Sequence, residues 1–301
     1  MPEKVIDKHT STRWTTIKLL QWAASYLKTH NIDSPRATGE ILLAHAMKCE
    51  RIDLYLNFDQ PLVGHELKVF KTLIQRRIKR EPVAYILGVK EFWSLDLEVT
   101  EDVLIPRPET ECLVETALEL LSRPASSQSW RILDLGTGSG AIIIALASQQ
   151  SRHTYFASDR NIQAVRLAQR NARRHNLGEM IHYFNADWLT ALNQKTSAFD
   201  MIVCNPPYIP SRVLEGLQPE IRGFEPITAL DGNNDGLGCF KKIIGSAYCY
   251  LKPGGVLLLE IGYDQQDDVR RTVSDSGHYD DFSCTKDYAG QDRVVWTFKK
   301  G

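Results

Sequence analysis

No uncharged apolar run in these 301 residues approaches the ~18 that a bilayer span needs, so no membrane helix is expected. The first twelve residues are polar and charged, without the apolar centre of a signal peptide, which makes a cytoplasmic protein the expectation. The six cysteines (Cys49, Cys112, Cys204, Cys239, Cys249, Cys284) are scattered with no Cys-x-x-Cys pair, so neither a zinc ribbon nor a redox dithiol can be built from them. They read as reduced, packed thiols, and no metal site is expected. Internal repeats are missing, and so is any large net charge, which totals −1. With 43% hydrophobic and 24% charged residues, the composition excludes disorder, collagen and coiled coil. The length suits about two domains of ~150 residues.

The near-neutral total hides an asymmetry. Residues 1–88 carry 14 Lys and Arg against 9 Asp and Glu, whereas residues 89–301 carry 22 against 28. A larger part with net charge −6 argues against a broad nucleic-acid channel there, since phosphate binding depends on clustered cations. Most of the front's excess lies in 68–80, where Lys68, Lys71, Arg76, Arg77, Lys79 and Arg80 alternate with Phe70, Leu73, Ile74 and Ile78. That pattern is an amphipathic helix with a basic face, either plain solvated surface or a surface on which a partner docks.

The first 88 residues read as a small helical bundle. Ile17, Leu20, Ala24 and Leu27 recur at helical spacing, and Asp33-Ser34-Pro35 offers an N-cap with proline at the first helical position before Ile41, Leu42 and His45. From 89 to 105 the pattern turns to alternation, with Leu95, Leu97 and Val99 against Asp96, Glu98 and Thr100, which predicts a strand pair serving as a linker over 89–107. Pro106 and Pro108 end it. A helical stripe of Leu113, Val114, Ala117, Leu118 and Leu121 follows, with Glu109 and Glu111 in its first turn, where the helix dipole favours negative charge.

After a Ser/Pro/Gln-rich stretch at 122–130, buried-type strands at 131–135, 154–158, 181–185, 200–204 and 255–261 alternate with helices at 141–149, 162–175 and 236–251. Such alternation predicts an α/β domain over 108–301, a parallel sheet covered on both faces. Two more strands, 282–286 and 293–298, are joined by six residues, a length that suits an antiparallel hairpin.

Asp134-Leu135-Gly136-Thr137-Gly138-Ser139-Gly140 stands where a strand ends and a helix begins, the edge at which open parallel sheets bind ligands. Glycine there lets a ligand approach without meeting a Cβ. The signal is ambiguous, because Gly136-x-Gly138-x-x-Ala141 also fits a dinucleotide fingerprint, with Asp159 placed 21 residues after Gly138 as the ribose-binding acid in either case. Both readings put a nucleoside at this loop.

Asn205-Pro206-Pro207-Tyr208, following the strand at 200–204, separates them. Hydride transfer has no need of such a turn. The prolines fix φ and donate nothing, so the Asn205 and Pro206 carbonyls can face outward as acceptors with an aromatic ring close behind. That set suits a planar NH2 group. An amide nitrogen is a poor nucleophile, and two acceptors on its hydrogens with Tyr208 stacked on its plane would aim its lone pair at an electrophilic methyl, a positioning effect worth roughly 7 to 11 kcal/mol at best. Asp187-Trp188 follows the preceding strand and offers an acceptor and a ring for adenine. The 27 residues from 209 to 235 lack periodicity and read as a lid or substrate-facing loop.

These residues resemble the release-factor glutamine methyltransferases, the HemK family, over nearly the whole chain. The resemblance rests on Asn205 to Tyr208 together with Glu81-Pro82-x-x-Tyr85-Ile86-Leu87-Gly88, Leu104-Ile105-Pro106-Arg107-Pro108-Glu109-Thr110-Glu111, Phe224-Glu225-Pro226 with Ala229-Leu230, Leu259-Glu260-Ile261-Gly262-Tyr263, and Asp292-Arg293-Val294-Val295. It implies a helical amino-terminal domain for substrate docking, a hairpin linker and a seven-stranded Rossmann-like S-adenosylmethionine-dependent methyltransferase domain. The implied activity is methylation of the side-chain amide of the glutamine in the Gly-Gly-Gln motif of peptide chain release factors, with S-adenosylhomocysteine as the other product. By the same resemblance the cofactor loop falls on Gly136, Thr137, Gly138, Ser139 and Gly140, the ribose acid on Asp159 and the adenine-side tryptophan on Trp188. Asp187 and Asn205 complete the cofactor set, and Asn205, Pro206, Pro207 and Tyr208 form the substrate and catalytic set. Asp231-Gly232-Asn233-Asn234-Asp235-Gly236 keeps the family's character without a contact that sequence can assign.

Three rivals stand beside this reading. An adenine or guanine amino-methyltransferase would share the acceptor turn but should add a basic target-reading module, which 89–301 lacks. A non-catalytic partner-binding protein would use the basic helix and keep the nucleoside fold as scaffold. A nicotinamide-dependent reductase would have no use for Asn205 to Tyr208. No direct nucleic-acid or membrane contact is expected.

Overall fold

A computed structural model describes residues 14–122, 128–193 and 198–301. The amino end and most of the Ser/Pro/Gln-rich stretch, residues 123–127, therefore lie outside the described residues. The chain divides into two compact units, Met1–Leu87 and Gly88–Gly301.

The first unit is helical: α1 (Thr16–Thr29), α2 (Pro35–Met47), a single turn α3 (Asp53–Leu56), α4 (Gly64–Ile78) and α5 (Val83–Leu87). Its core is aliphatic, with Leu27, Leu42, Leu43, Leu54, Phe70 and Ile74 all but excluded from water. The inward stripe of α1 is Leu19, Leu20, Ala23 and Leu27, while Ile17 and Ala24 are only half-buried. Contact with α2 sets that rotation: a Cβ on Gly39 would lie 3.4 Å from the Cβ of Ala23, so two small residues let the helices approach closely. Pro35 opens α2 as expected, but Ser34 takes a left-handed backbone (φ 48°) and its hydroxyl does not cap the helix.

The basic stretch on α4 is divided rather than uniform. Arg76 grips Glu81 through two guanidinium nitrogens and the carbonyl of Ile86 through a third, at 3.0 Å for that last bond. Arg77 is buried and donates to the Glu81 carbonyl at 3.2 Å, and Arg80 donates to the His30 carbonyl at 3.2 Å. Lys68, Lys71 and Lys79 are the exposed members. Half of the sequence's basic face is thus internal stitching of the bundle.

The second unit begins with a hairpin, β1 (Val89–Phe92) and β2 (Leu95–Glu98). Trp93 and Ser94 form its two-residue loop, both at positive φ (54° and 57°), the twist that matches right-handed strands. The strands are shorter than the 89–105 pattern suggested, because 99–107 runs on as irregular chain toward Pro108. Phe92 and Leu97 are buried in the core of this unit.

α6 (Glu111–Leu121) leads to seven strands: β3 (Arg131–Leu135), β4 (Thr154–Asp159), β5 (Ile181–Asn185), β6 (Phe199–Cys204), β7 (Leu251–Glu260), β8 (Tyr279–Lys286) and β9 (Asp292–Lys299). They form one sheet in the order β5-β4-β3-β6-β7-β9-β8 among the described residues. The first five are parallel, and β9 enters antiparallel between β7 and β8. The closing loop is one residue shorter than read, since Asp292 already pairs with Lys286.

Alternation along each strand feeds two cores. Ile132, Met201, Val203, Val256 and Leu258 pack on one face with α6 and α7 (Ala141–Gln149), which is apolar and buried from Ala141 to Ala147, while Leu133, Leu135, Ile202, Leu257 and Leu259 pack on the other. Helices α8 (Ile162–Arg174), α10 (Gly238–Ala247) and α11 (Gln266–Ser276) complete the covering, and a short α9 (Pro219–Phe224) lies within the aperiodic 209–235 segment. That segment is ordered by closing on itself: Ile209 N donates to the Leu230 carbonyl and Gly232 N to the Ile209 carbonyl, at 3.0 and 2.8 Å.

The hairpin is fastened to α8. Asn171, 1% exposed, accepts from Glu98 N at 2.7 Å and donates to the carbonyls of Glu98 and Ser139, at 3.0 and 2.8 Å. Next to this joint, Gly140 has φ +85°, and a Cβ there would fall 2.8 Å from Ile144 Cδ1 and 3.1 Å from Ala168 Cβ. Gly140→Ala is expected to lower unfolding stability by about 1–3 kcal/mol through backbone strain and overpacking, measured by chemical denaturation.

Candidate active site

The strand order reverses between β3 and β6, and parallel sheets bind ligands at the carboxyl side of such a point. Register sets what meets there. Leu135 pairs with Cys204 across β3 and β6, Leu135 with Ser158 across β3 and β4, and Cys204 with Leu259 across β6 and β7. One residue further on, Asp159, Gly136, Asn205 and Glu260 therefore stand side by side at the edge.

A cleft of about 320 Å³ opens there. Gly136, Thr137, Gly138 and Ser139 form one wall, Asp159 with Arg160 and Asn161 the next, and Ala186, Asp187 and Trp188 a third. Asn205 and Pro207 face it, and residues 102–104, Pro106, Arg107 and Thr110, with 226–229 and Asp231, cover it. Of the residues singled out by sequence, the cleft brings together Gly136, Thr137, Gly138, Ser139, Asp159, Asp187, Trp188, Asn205 and Pro207. Gly140, Pro206 and Tyr208 stand outside its lining: Gly140 packs on α8, Pro206 is buried, and Tyr208 is half-buried behind the turn.

The glycine loop is held from beneath. Ser158 O accepts from both Gly136 N and Thr137 N at 2.9 Å, and Gly138 N donates to Asp159 Oδ2 at 3.0 Å. Gly136 and Gly138 have φ of +72° and +55°, and an added Cβ would find no atom nearer than 3.9 Å, so the missing side chains leave room on the cleft side. Asp159 Oδ1 accepts from Asn161 N at 2.8 Å, and burial pushes its carboxyl above the usual range. Thr137 donates to Asp134 Oδ2 at 2.7 Å, and complete burial raises the Asp134 carboxyl to about 7.

On the opposite side, Asn205 Nδ2 donates to Thr110 Oγ1 at 3.2 Å. The Asn205 oxygen accepts nothing among the described residues and keeps its full acceptor capacity. The Tyr208 hydroxyl donates to Glu260 Oε1 at 3.3 Å, and burial lifts Tyr208 well above its ordinary range. Glu260 is 1% exposed, and burial pushes it up to about 7 against the pull of the Thr110 hydroxyl and the Arg293 guanidinium. Gln265 ties the turn down, donating to the Tyr208 carbonyl at 3.0 Å and to the Gly236 carbonyl at 3.4 Å. This gives the Asp231 to Gly236 motif the contact that sequence alone did not supply.

Glu225 is the largest omission of the sequence reading. Its side chain is 1% exposed, accepts from Arg107 Nη2 at 2.5 Å and from Ile105 N at 3.1 Å, and so fastens the 209–235 segment to the 102–107 segment over the cleft. Glu225, Thr110 and Glu260 each lie inside a motif quoted for the family resemblance. The signal was present, but contacts across 95 or more positions are invisible to local pattern.

All six cysteines are free thiols, and no cluster of three or more His, Cys, Asp or Glu able to hold a metal occurs among the described residues. No helix of the described residues is long and apolar enough to cross a membrane.

Comparison with known proteins adds the lineage. The PrmC N-terminal domain family matches residues 18–88, and the methyltransferase small domain family matches residues 112–215. The release factor glutamine methyltransferase of Geobacter sulfurreducens is 43% identical over 94% of this chain and 96% of its own. That of Escherichia coli K12 is 42% identical over 87% and 92%. Among solved structures, the hMettl16 catalytic domain in complex with a MAT2A 3′UTR hairpin superposes with a TM-score of 0.53 over 80% of this chain and 84% of its own, at 16% identity. The human methyltransferase 10 domain containing protein gives 0.51 over 68% and 88%, also at 16%. At that identity the likeness shows the fold alone, a Rossmann-like methyltransferase sheet.

The raised Asp134 carboxyl predicts a pH-dependent cost. Folded chain keeps this proton up to about pH 7 whereas an unfolded aspartic acid gives it up near 3.8, so the stability it confers is full in acid and is lost as pH rises toward 7. Asp134→Asn cannot ionise. Its melting temperature relative to wild type should therefore rise between about pH 5 and about pH 8, and a difference that stays constant would show that Asp134 does not titrate in this way.

Proposed function

Because the chain belongs to the release factor glutamine methyltransferase family, we propose that it methylates the side-chain amide nitrogen of the glutamine in the Gly-Gly-Gln motif of peptide chain release factors, in the cytoplasm, with S-adenosylmethionine as methyl donor. The observation that carries this reading is the meeting of the glycine loop and Asn205 in one cleft, with the Asn205 amide hydrogens turned to Thr110 and its oxygen left to accept.

The residues present fit the donor. Gly136 and Gly138 leave the open space a nucleoside needs, Asp159 keeps lone pairs for ribose hydroxyls beyond the two backbone N–H groups it already holds, and Asp187 and Trp188 offer an acceptor and a ring on the adenine side. When bound, S-adenosylmethionine supplies a methyl carbon on positive sulfur, which nitrogen takes in exchange for neutral S-adenosylhomocysteine.

The chain's own contribution is orientation. The Asn205 oxygen, which faces the cleft, accepts one hydrogen of the substrate NH2, and the main-chain carbonyl of Pro206, whose ring is buried outside the lining, is assigned the other, with Pro207 and Tyr208 shaping the turn. Held this way, the nitrogen presents its lone pair to the donor side of the cleft. Its surplus proton leaves to water, since an N-alkylated amide is too weak a base to keep it, and no general base is assigned.

The first unit is read as the substrate-docking part, its exposed cations being Lys68, Lys71 and Lys79. Arg76, Arg77 and Arg80 are assigned to holding the bundle together instead.

Three measurements test these assignments. Asn205→Ala should lower turnover at least ~10²-fold while S-adenosylmethionine affinity stays nearly unchanged, and near wild-type turnover would remove Asn205 from the chemistry. With labelled donor, the label should enter the release factor and no oligonucleotide. Reversing Lys68, Lys71 and Lys79 to Glu should slow methylation of a whole release factor about 5-fold or more while sparing a short Gly-Gly-Gln peptide, and equal effects on both would return that face to ordinary solvated surface.

A further inference from the structure

The reading above uses Thr110 only as the partner of the Asn205 amide and leaves the strand end carrying Glu260 without a role. The sheet brings them to the same place. Pairing of Cys204 with Leu259 makes Glu260 the lateral neighbour of Asn205, and Thr110, on the 3₁₀ turn Pro108–Thr110 ahead of α6, meets Asn205 from the side. Thr110 is 4% exposed and Glu260 1%, so neither can trade its protein partners for bulk water.

A carboxamide has no intrinsic preference between its two orientations, since oxygen and NH2 are nearly the same size and only the neighbours' polarity selects one. Thr110 supplies that polarity. Its hydroxyl has one hydrogen and lies beside the buried carboxyl of Glu260, whose Oε2 has no hydrogen-bond partner among the described residues. A buried acceptor of this kind strongly favours a donor. With the hydroxyl hydrogen directed at Glu260, the oxygen of Thr110 presents lone pairs to Asn205, and only the NH2 of Asn205 satisfies them. The Asn205 oxygen is then left as the group with free acceptor capacity.

We propose that Thr110 and Glu260 are positioning residues for methyl transfer, acting as a polarity relay that holds Asn205 with its NH2 toward Thr110 and its oxygen available to the substrate amide. The proposal rests on the reading of Asn205 as the acceptor for that amide. Tyr208, which donates to Glu260 Oε1, belongs to the same relay and fixes the far end of the turn.

The test isolates one hydroxyl twice. Threonine and valine share a shape, and serine and alanine differ by one oxygen, so wild type is compared with Thr110→Val, and Thr110→Ser with Thr110→Ala. In each pair the hydroxyl-bearing member should have a kcat about 10-fold higher or more, with KM for the release factor and the Kd of S-adenosylmethionine within about 2-fold. Thr110→Val/Asn205→Ala should be no slower than Asn205→Ala alone, because the relay acts only through Asn205.

Equal kcat within both pairs overturns the proposal, and so does a double variant slowed by the full product of the single effects. Should Thr110→Val fail to fold, the serine and alanine pair decides. Asn205→Ala, measured alongside, separates the two levels: if it retains wild-type turnover, the reading of Asn205 falls, whereas a slow Asn205→Ala with equal hydroxyl pairs removes only the relay.

Discussion

Parallel pairing of β3 with β6 is the constraint on which the site depends. Strands from distant parts of the chain end level with one another, so the backbone turns that follow them are thrust out together at the point where the strand order reverses. No side chain has to reach for its place. Gly136, Asn205 and Glu260 are neighbours because Leu135, Cys204 and Leu259 are, and those three are buried by the apolar packing of the sheet faces. Hydrophobic burial, which is not directional, thereby fixes the directional part of the site.

Placed on that frame, buried polar groups tie the site's loops to the sheet. Asp134 and Glu260 are carboxyls carried into the core on β3 and β7, the strands that flank β6, each supplied with a hydroxyl, Thr137 for one and Tyr208 for the other. Each sits behind a working loop, one behind the glycine turn and the other behind Asn205. Burying such groups is costly unless hydrogen bonds compensate, and here the compensation orders the loops in front of them.

Much of this was legible in the chain. The strands at 131–135 and 181–185 and the helix at 141–149 agree with the structure residue for residue, because alternation and apolar runs report local burial directly. Asn205 and the glycine loop stand out because their residue types are unusual at a strand end. Thr110, Glu225 and Glu260 are different. Threonine before a helix and glutamate in a loop are unremarkable, and their partners lie far away in sequence. The basic face of α4 misled for the same reason: composition reveals that Arg76, Arg77 and Arg80 are cations, but not that Glu81, Ile86 and His30 already receive them. The register of α1 was misjudged because Gly39, on another helix, decides which small residue faces inward.

The clasp made by Glu225 bears on how the cleft meets its occupants. The 209–235 segment is tied at both roots by the Ile209 backbone and near its far side by the Glu225 carboxylate, which leaves it little freedom to swing. A visiting molecule thus encounters a roof that is already furnished, and it forfeits no affinity to the ordering of that span. Discrimination then falls to fit against a standing contour, as a die accepts or refuses a blank, with no closing motion needed to complete the choice.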